Sequence, residues 1–221
     1  RPSRREGRGS MRDSPDSTAH MSADRSTDDL TFRPLAPDTW RAFADLVERH
    51  NGVFGGCWCT YFHSLSRDKD RTYESNRDLK CQLVEHGRAH AALVFDGDEV
   101  VAWAEFGPPG ELPNIHHRQE YEAGLVTAPD YRITCIFVDR RHRRGGVAAL
   151  ALRGALDLIS QAGGGVVEGY PHDMSKQPEG KKMSSSFLYN GTRRMYEEAG
   201  FTYQRSKGQK NCVLIRTIAP A

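Results

Sequence analysis

The sequence predicts an α+β fold with one mixed sheet, on three observations. Two Val- and Ala-rich runs, 89–95 and 99–106, flank Asp96-Gly97, a strong hairpin signal. A strand pattern at 131–138 leads into a helical pattern opened by Gly145-Gly146 and running to about Ala162, and a second strand pattern follows at 166–170. Two short strands near Phe201 and Val213 end the chain. A hairpin beside a strand–helix–strand unit gives a central mixed sheet flanked by helices.

In chain order, 30–35 is a short strand ending near Pro34, and Asp38 is placed to cap a helix running to about His50. Trp40, Phe43, Ala44 and Val47 share one face of that helix, and Gly52 stops it. The stretch 53–62 is dense in apolar and small residues. A second helix spans about 74–86, with Gly87 as its stop. After Gly107-Pro108-Pro109-Gly110, a polar stretch runs to about Pro129, with a short helix near 116–122. On the helix after Gly146, Val147, Leu150, Ala151, Gly154, Ala155 and Leu158 form an apolar stripe opposite Arg153, Asp157, Ser160 and Gln161. Residues 172–186 read as a loop, and a helix carrying Met195 and Tyr196 stops at Gly200.

Residues 1–29 contain no Val, Ile, Leu, Phe, Tyr or Trp, too little apolar surface to offset the entropy of ordering them. They read as a disordered tail, with Met11 and Met21 as candidate starts, and 30–218 as one folded domain. With 31 Lys and Arg against 29 Asp and Glu, the chain is too evenly charged for a dedicated nucleic-acid binder. No apolar run is long enough to span a membrane. Five cysteines in a chain able to build its own core fit a reducing compartment, so a cytoplasmic location is expected.

The most informative segment joins the 131–138 strand to the next helix. Five residues after Val138 come Arg143-Arg144-Gly145-Gly146-Val147-Ala148. The first N–H groups of a helix have no internal partner and sit at the positive end of its dipole. Glycines let a ligand approach the backbone, and arginines add charge-assisted hydrogen bonds, so the expected ligand is a pyrophosphate. Neither G-x-x-x-x-G-K-[ST] nor G-x-G-x-x-G is present.

The pattern Val138…Arg143-x-x-Gly146-Val147-Ala148 resembles the acyl-CoA loop of the GCN5-related N-acetyltransferases. Tyr196-Glu197-Glu198-Ala199-Gly200-Phe201 resembles the family's second signature, and the resemblance spans about 30–218. Gly56-Cys57-Trp58-Cys59 and Glu168-Gly169-Tyr170-Pro171 are similar to a bacterial branch of that family.

The resemblance implies a single GNAT-type domain, its mostly antiparallel sheet splayed at the acyl-CoA site. It implies an N-acyltransferase, most simply an N-acetyltransferase, in which a primary amine attacks the thioester of acetyl-CoA directly. Phe137 and Val138 would hold the pantetheine arm. Arg143, Arg144, Gly145, Gly146, Val147 and Ala148 would hold the pyrophosphate. Tyr196 falls at the family's general-acid position. Thr134 stands where the histone-acetylating branch has Glu, so the base is sought elsewhere: Glu168 is the candidate, with Glu105, Glu122, His172 and ordered water as alternatives. Tyr189, followed by Asn190, replaces an Asn found in many members.

No metal is expected. Cys57, Cys59 and His63 lack metal-ligand spacing and a fourth ligand, and Cys135 reads as core. Lys181 and Lys182 belong to a solvated loop, and His116-His117 to a polar one. The acceptor is a small-molecule or protein amine, the chain a possible homodimer, with no membrane partner and none expected among nucleic acids. The alternative function is a non-catalytic acyl-CoA-binding or sensor module.

Overall fold

The computed structural model describes residues 27–65, 71–176 and 189–221. The tail at 1–26, together with Lys181 and Lys182, lies outside them. Residues Thr27–Asp29, assigned to the tail by composition, form a 3-10 turn closed by the Leu30 N–H donating to the Thr27 carbonyl. Among the described residues no helix is long and apolar enough to cross a membrane.

Seven strands form one sheet: β1 (Thr31–Pro34), β2 (His90–Asp96), β3 (Glu99–Gly107), β4 (Tyr131–Val138), β5 (Gly165–Gly169), β6 (Thr202–Lys207) and β7 (Asn211–Ile218), in the order β1-β2-β3-β4-β5-β7-β6. Every pairing is antiparallel except β4 with β5. The β2–β3 hairpin forms as expected, with Asp96 opposite Glu99, so its two-residue turn is Gly97-Asp98.

Among the described residues the α-helices are α1 (Trp40–Arg49), α2 (Tyr73–Glu85), α3 (Arg118–Ala123), α4 (Val147–Gln161) and α5 (Arg193–Glu198). Both sheet faces are covered, so successive β2 residues enter opposite cores. Ala92 and Val94 pack with Ala151, Leu152, Ala155 and Ile159 of α4, whereas Ala91, Leu93 and Phe95 pack with Phe43, Leu46 and Val47 of α1. Asp38 does not cap α1. It pairs with Arg33, while the Thr39 hydroxyl ties the chain back to the Pro34 carbonyl.

Two departures from regular pairing shape the middle of the sheet. β4 meets β5 only through Tyr131, Arg132 and Ile133, opposite Val167, Glu168 and Gly169, so the second half of β4 parts from its neighbour. On the other edge, β3–β4 pairing skips Thr134, with Phe106 opposite Ile133 and Glu105 opposite Cys135. Such a bulge inserts one residue and re-aims its side chain.

Candidate active site

The gap beside β4 opens into a cleft of about 550 Å³. Phe137, Val138, Arg143, Arg144, Gly146, Val147 and Ala148 all line it. Gly145, expected with them, is not among the lining residues, although it lies between two that are. The loop turns through left-handed backbone at Arg144 (φ +73°) and Gly146 (φ +78°). Gly146 is the α4 N-cap and offers no side-chain cap, so the first α4 N–H groups keep their bonding capacity. A Cβ on Gly146 would come no nearer than 3.8 Å to Thr27. The glycine is needed for its backbone angle, which L side chains rarely adopt, rather than for lack of space.

The basic run divides its work. The Asp139 side chain accepts the Arg141 backbone N–H and pairs with its guanidinium at 2.8 Å. Burial pushes the Asp139 carboxyl up, but Arg141 outweighs it and holds the group far below the usual carboxylate range. Arg141 also reaches Glu99, so it braces the loop, while Arg143 and Arg144 face the cleft.

Tyr196 is fully buried and lines neither this cleft nor its neighbour. Its ring lies over Gly169, so closely that a Cβ there would clash, and meets Phe201 edge-on at 5.0 Å. Gly169 is the last β5 residue paired to β4, so Tyr196 sits where the strands part. Its hydroxyl has no hydrogen-bond partner among the described residues, and burial keeps it protonated.

The carboxylates named in the sequence have unlike surroundings. Glu168 is buried and accepts hydrogen bonds from Tyr121 (2.7 Å) and Tyr170 (2.8 Å), both neutral hydroxyls, with Arg132 opposite it in register. Glu105 is buried and bound by Lys80 (2.7 Å), His63 (3.2 Å) and the Thr134 hydroxyl (2.7 Å). Burial favours its protonation, but Lys80 and His63 overcome this and hold Glu105 at about 2. Glu122 is exposed and paired with Arg118 on α3. His172 is buried, with its ring against Tyr189 at 6.3 Å.

A second hollow, of about 350 Å³, is lined by Phe54, Cys57, Cys59, Tyr61, Phe62, His116, Cys135 and Tyr189. Phe54 borders both spaces. Cys59 and Cys135 are buried and Cys57 half-buried. Among the described residues no group of three or more His, Cys, Asp or Glu is placed to hold a metal. The segment between α1 and this hollow is unusual: Asn51, Val53, Phe54, Trp58 and Cys59 all adopt positive φ. Left-handed angles at bulky residues persist only where their surroundings impose them. Here Trp58 is fully buried and stacked on Trp40, and the Asn76 side chain donates to the Gly56 carbonyl. Lys80 also donates to the Cys59 carbonyl at 3.3 Å.

Sequence reasoning missed His50, Val53, Phe54, Gly191 and Met195 as cleft walls, and His116 as a wall of the hollow. His116 is no solvated loop residue: its ring stacks on Tyr61 at 4.7 Å, with Nδ1 3.1 Å from the Tyr61 hydroxyl. Tyr189 does two things. Its carbonyl accepts the Ile136 N–H of the parted strand at 2.6 Å, and its ring lines the hollow.

The family model for the acetyltransferase (GNAT) family matches residues 54–168, just over half of the chain. The chain belongs to the GNAT family. It is therefore an enzyme of the GNAT acetyltransferase type, a family that uses acetyl-CoA as donor and amines as acceptors. Among solved structures, a GNAT-family protein from Desulfovibrio desulfuricans is 17% identical, with 86% of this chain and 99% of that one covered at a TM-score of 0.49. An acetyltransferase from Thermus thermophilus is 15% identical, covering 85% and 96%, with a TM-score of 0.45. The ribosomal-protein-S18-alanine N-acetyltransferase of Escherichia coli is 12% identical, covering 87% and 96%, with a TM-score of 0.44. No curated protein matches the chain by sequence.

Proposed function

We propose that this GNAT enzyme transfers an acetyl group from acetyl-CoA to a primary amine at the gap between β4 and β5. The observation that carries the reading is the continuity of the donor cleft, from the uncapped start of α4 along the unpaired half of β4. The residues present suit the donor. Arg143, Arg144 and the first N–H groups of α4 would hold its pyrophosphate, and Phe137 and Val138 its pantetheine arm. The orphaned Tyr196 hydroxyl also argues for a ligand. A buried hydroxyl left unbonded costs roughly 1–3 kcal/mol, a cost relieved by a partner arriving at the gap.

When bound, acetyl-CoA supplies an activated acetyl thioester. Tyr196 then donates its proton to the departing sulfur as the C–S bond breaks. Glu168 takes the proton that the amine nitrogen loses as it bonds to the acetyl carbon. Glu105 is the poorer candidate, because a carboxylate held at about 2 by Lys80 and His63 has little affinity for a proton. The direct partners of Glu168 are neutral hydroxyls.

Calorimetric titration with acetyl-CoA, followed by thiol-release assays on an amine panel, tests the reading. Tyr196→Phe should bind acetyl-CoA normally and lose about 10²-fold or more in turnover. Unchanged turnover would show Tyr196 to be packing alone. Binding without release on any amine would turn the reading towards an acyl-CoA sensor.

A further inference from the structure

We infer that the hollow walled by Phe54, Tyr61, Phe62, His116 and Tyr189 is the acceptor chamber, and that it selects a monoamine carried on a compact aromatic or other apolar group. The inference rests on the acetyl-transfer reading and adds the acceptor's chemical class.

Three features carry it. The first is position. Cys135, on the parted half of β4, lines the hollow, and Phe54 separates it from the donor cleft, so an amine lodged there lies against the strand gap. The second is the wall, which is aromatic rings and thiols, with no Asp, Glu, Lys or Arg among the described lining residues. Aromatic rings favour apolar groups and pack edge-on or offset, as Tyr61 and Phe62 do here at 5.0 Å and 85°.

The third feature is charge. The buried carboxylates of the neighbouring strands are already engaged: Glu105 by Lys80, His63 and Thr134, Glu168 by Tyr121 and Tyr170. A polyamine or a basic peptide would bring further positive charges with no counter-charge in the chamber walls, a costly burial. His116 adds no charge at neutral pH, because burial, with Lys207 and His117 nearby, holds it at about 4. A hollow of about 350 Å³ falls at the small end of ligand sites and suits one ring with a short amine arm.

The test uses the full chain and three probes: 2-phenylethylamine, spermidine and a short peptide with a free N-terminus and lysines. With acetyl-CoA, kcat/KM for 2-phenylethylamine should exceed that for the other two by about 10-fold or more. Saturation-transfer NMR without acetyl-CoA should show 2-phenylethylamine bound and spermidine not. Tyr61→Asp places a carboxylate on a wall residue that is 40% exposed, so folding is spared; it should weaken 2-phenylethylamine and strengthen spermidine. Tyr61→Phe keeps the ring and loses the bond to His116, so it should lower kcat/KM for 2-phenylethylamine less than Tyr61→Asp does, with spermidine not strengthened.

Equal or better use of spermidine or the peptide would overturn the chamber's assignment and leave acetyl transfer standing. NMR binding of 2-phenylethylamine that Tyr61→Asp abolishes, with no amine turned over, would uphold the chamber and overturn the transferase reading. Absence of NMR binding at millimolar 2-phenylethylamine would overturn the inference.

Discussion

The donor cleft and the aromatic chamber share Phe54 and the parted half of β4, yet they are built on opposite principles. The cleft is mostly one run of chain, from Ile136 to Ala149, and offers backbone N–H groups, a helix terminus and two arginines. The chamber gathers single side chains from the 54–62 segment, from β4, and from the loops at 116 and 189. Beneath it lies a buried polar group, Lys80, Glu105, His63 and Thr134, whereas the cleft is flanked by the buried Asp139 with Arg49, His50 and Arg141. A backbone site holds whatever side chains its neighbours carry, whereas a side-chain site changes with each substitution. Donor chemistry and acceptor choice can therefore vary independently in one fold.

The largest effect should come from attacking the backbone site. Gly146→Asp with Arg143→Ala is expected to abolish measurable acetyl-CoA binding, a loss of about 10³-fold or more for a removed charge-assisted contact plus a like charge facing the pyrophosphate. The protein should stay folded, since Asp tolerates left-handed angles better than most residues and a carboxylate suits a helix N-terminus. Calorimetry beside a melting curve separates the two. Unchanged affinity would remove the distinction between the two regions.

The next effect should come from the floor of the chamber. Lys80→Met leaves Glu105 buried without its cation and should cost about 3–5 kcal/mol of stability, read by urea unfolding. Adding Glu105→Gln should recover part of that loss. Acetyl-CoA affinity of the folded fraction should change little in either variant, because neither residue touches the donor cleft. A fall in donor affinity matching the stability loss would mean that the regions are coupled.

The same contrast explains what could be read from residues alone. Strand β4, the loop and α4 were legible because hydrophobic period, glycine placement and helix polarity act over a few consecutive residues, and the cleft is made of those residues. The first GNAT signature falls in the same stretch, and the second, Tyr196 to Phe201, in α5 and the turn after it. His116 was passed over because nothing near it in sequence indicates that it stacks on Tyr61, 55 residues away. Lys80 on α2 and Glu105 on β3 are 25 residues apart and meet only in the folded chain, with a one-residue bulge bringing Thr134 to them. In the left-handed turns within 51–59, Asn51, Gly52, Gly55 and Gly56 follow local propensity, but Val53, Phe54, Trp58 and Cys59 would ordinarily avoid them. Tertiary contacts impose them there, so composition marked the segment as dense without giving its shape.

The smallest predicted effect uses His116 to ask whether the chamber wall is also a source of acid sensitivity. Its folded value of about 4 lies below the ordinary 6.5, so the unfolded chain binds the proton first as pH falls. Stability conferred by the neutral ring is fully present above 6.5, declines between 6.5 and about 4, and is constant below that. Glu105 adds a separate decline, beginning near 4.5 and ending near 2. His63, whose buried ring is likewise held below 6.5 by burial and Lys80, shares the upper decline, so His116→Gln should reduce that decline without removing it and leave the lower part intact, read by urea unfolding at stepped pH. Because Gln keeps a polar group beside the Tyr61 hydroxyl, the change at neutral pH should be under about 1 kcal/mol, the scale of one hydrogen bond. If the upper decline keeps its full size after the substitution, His63 accounts for all of it, and His116 is in the chamber for its shape alone.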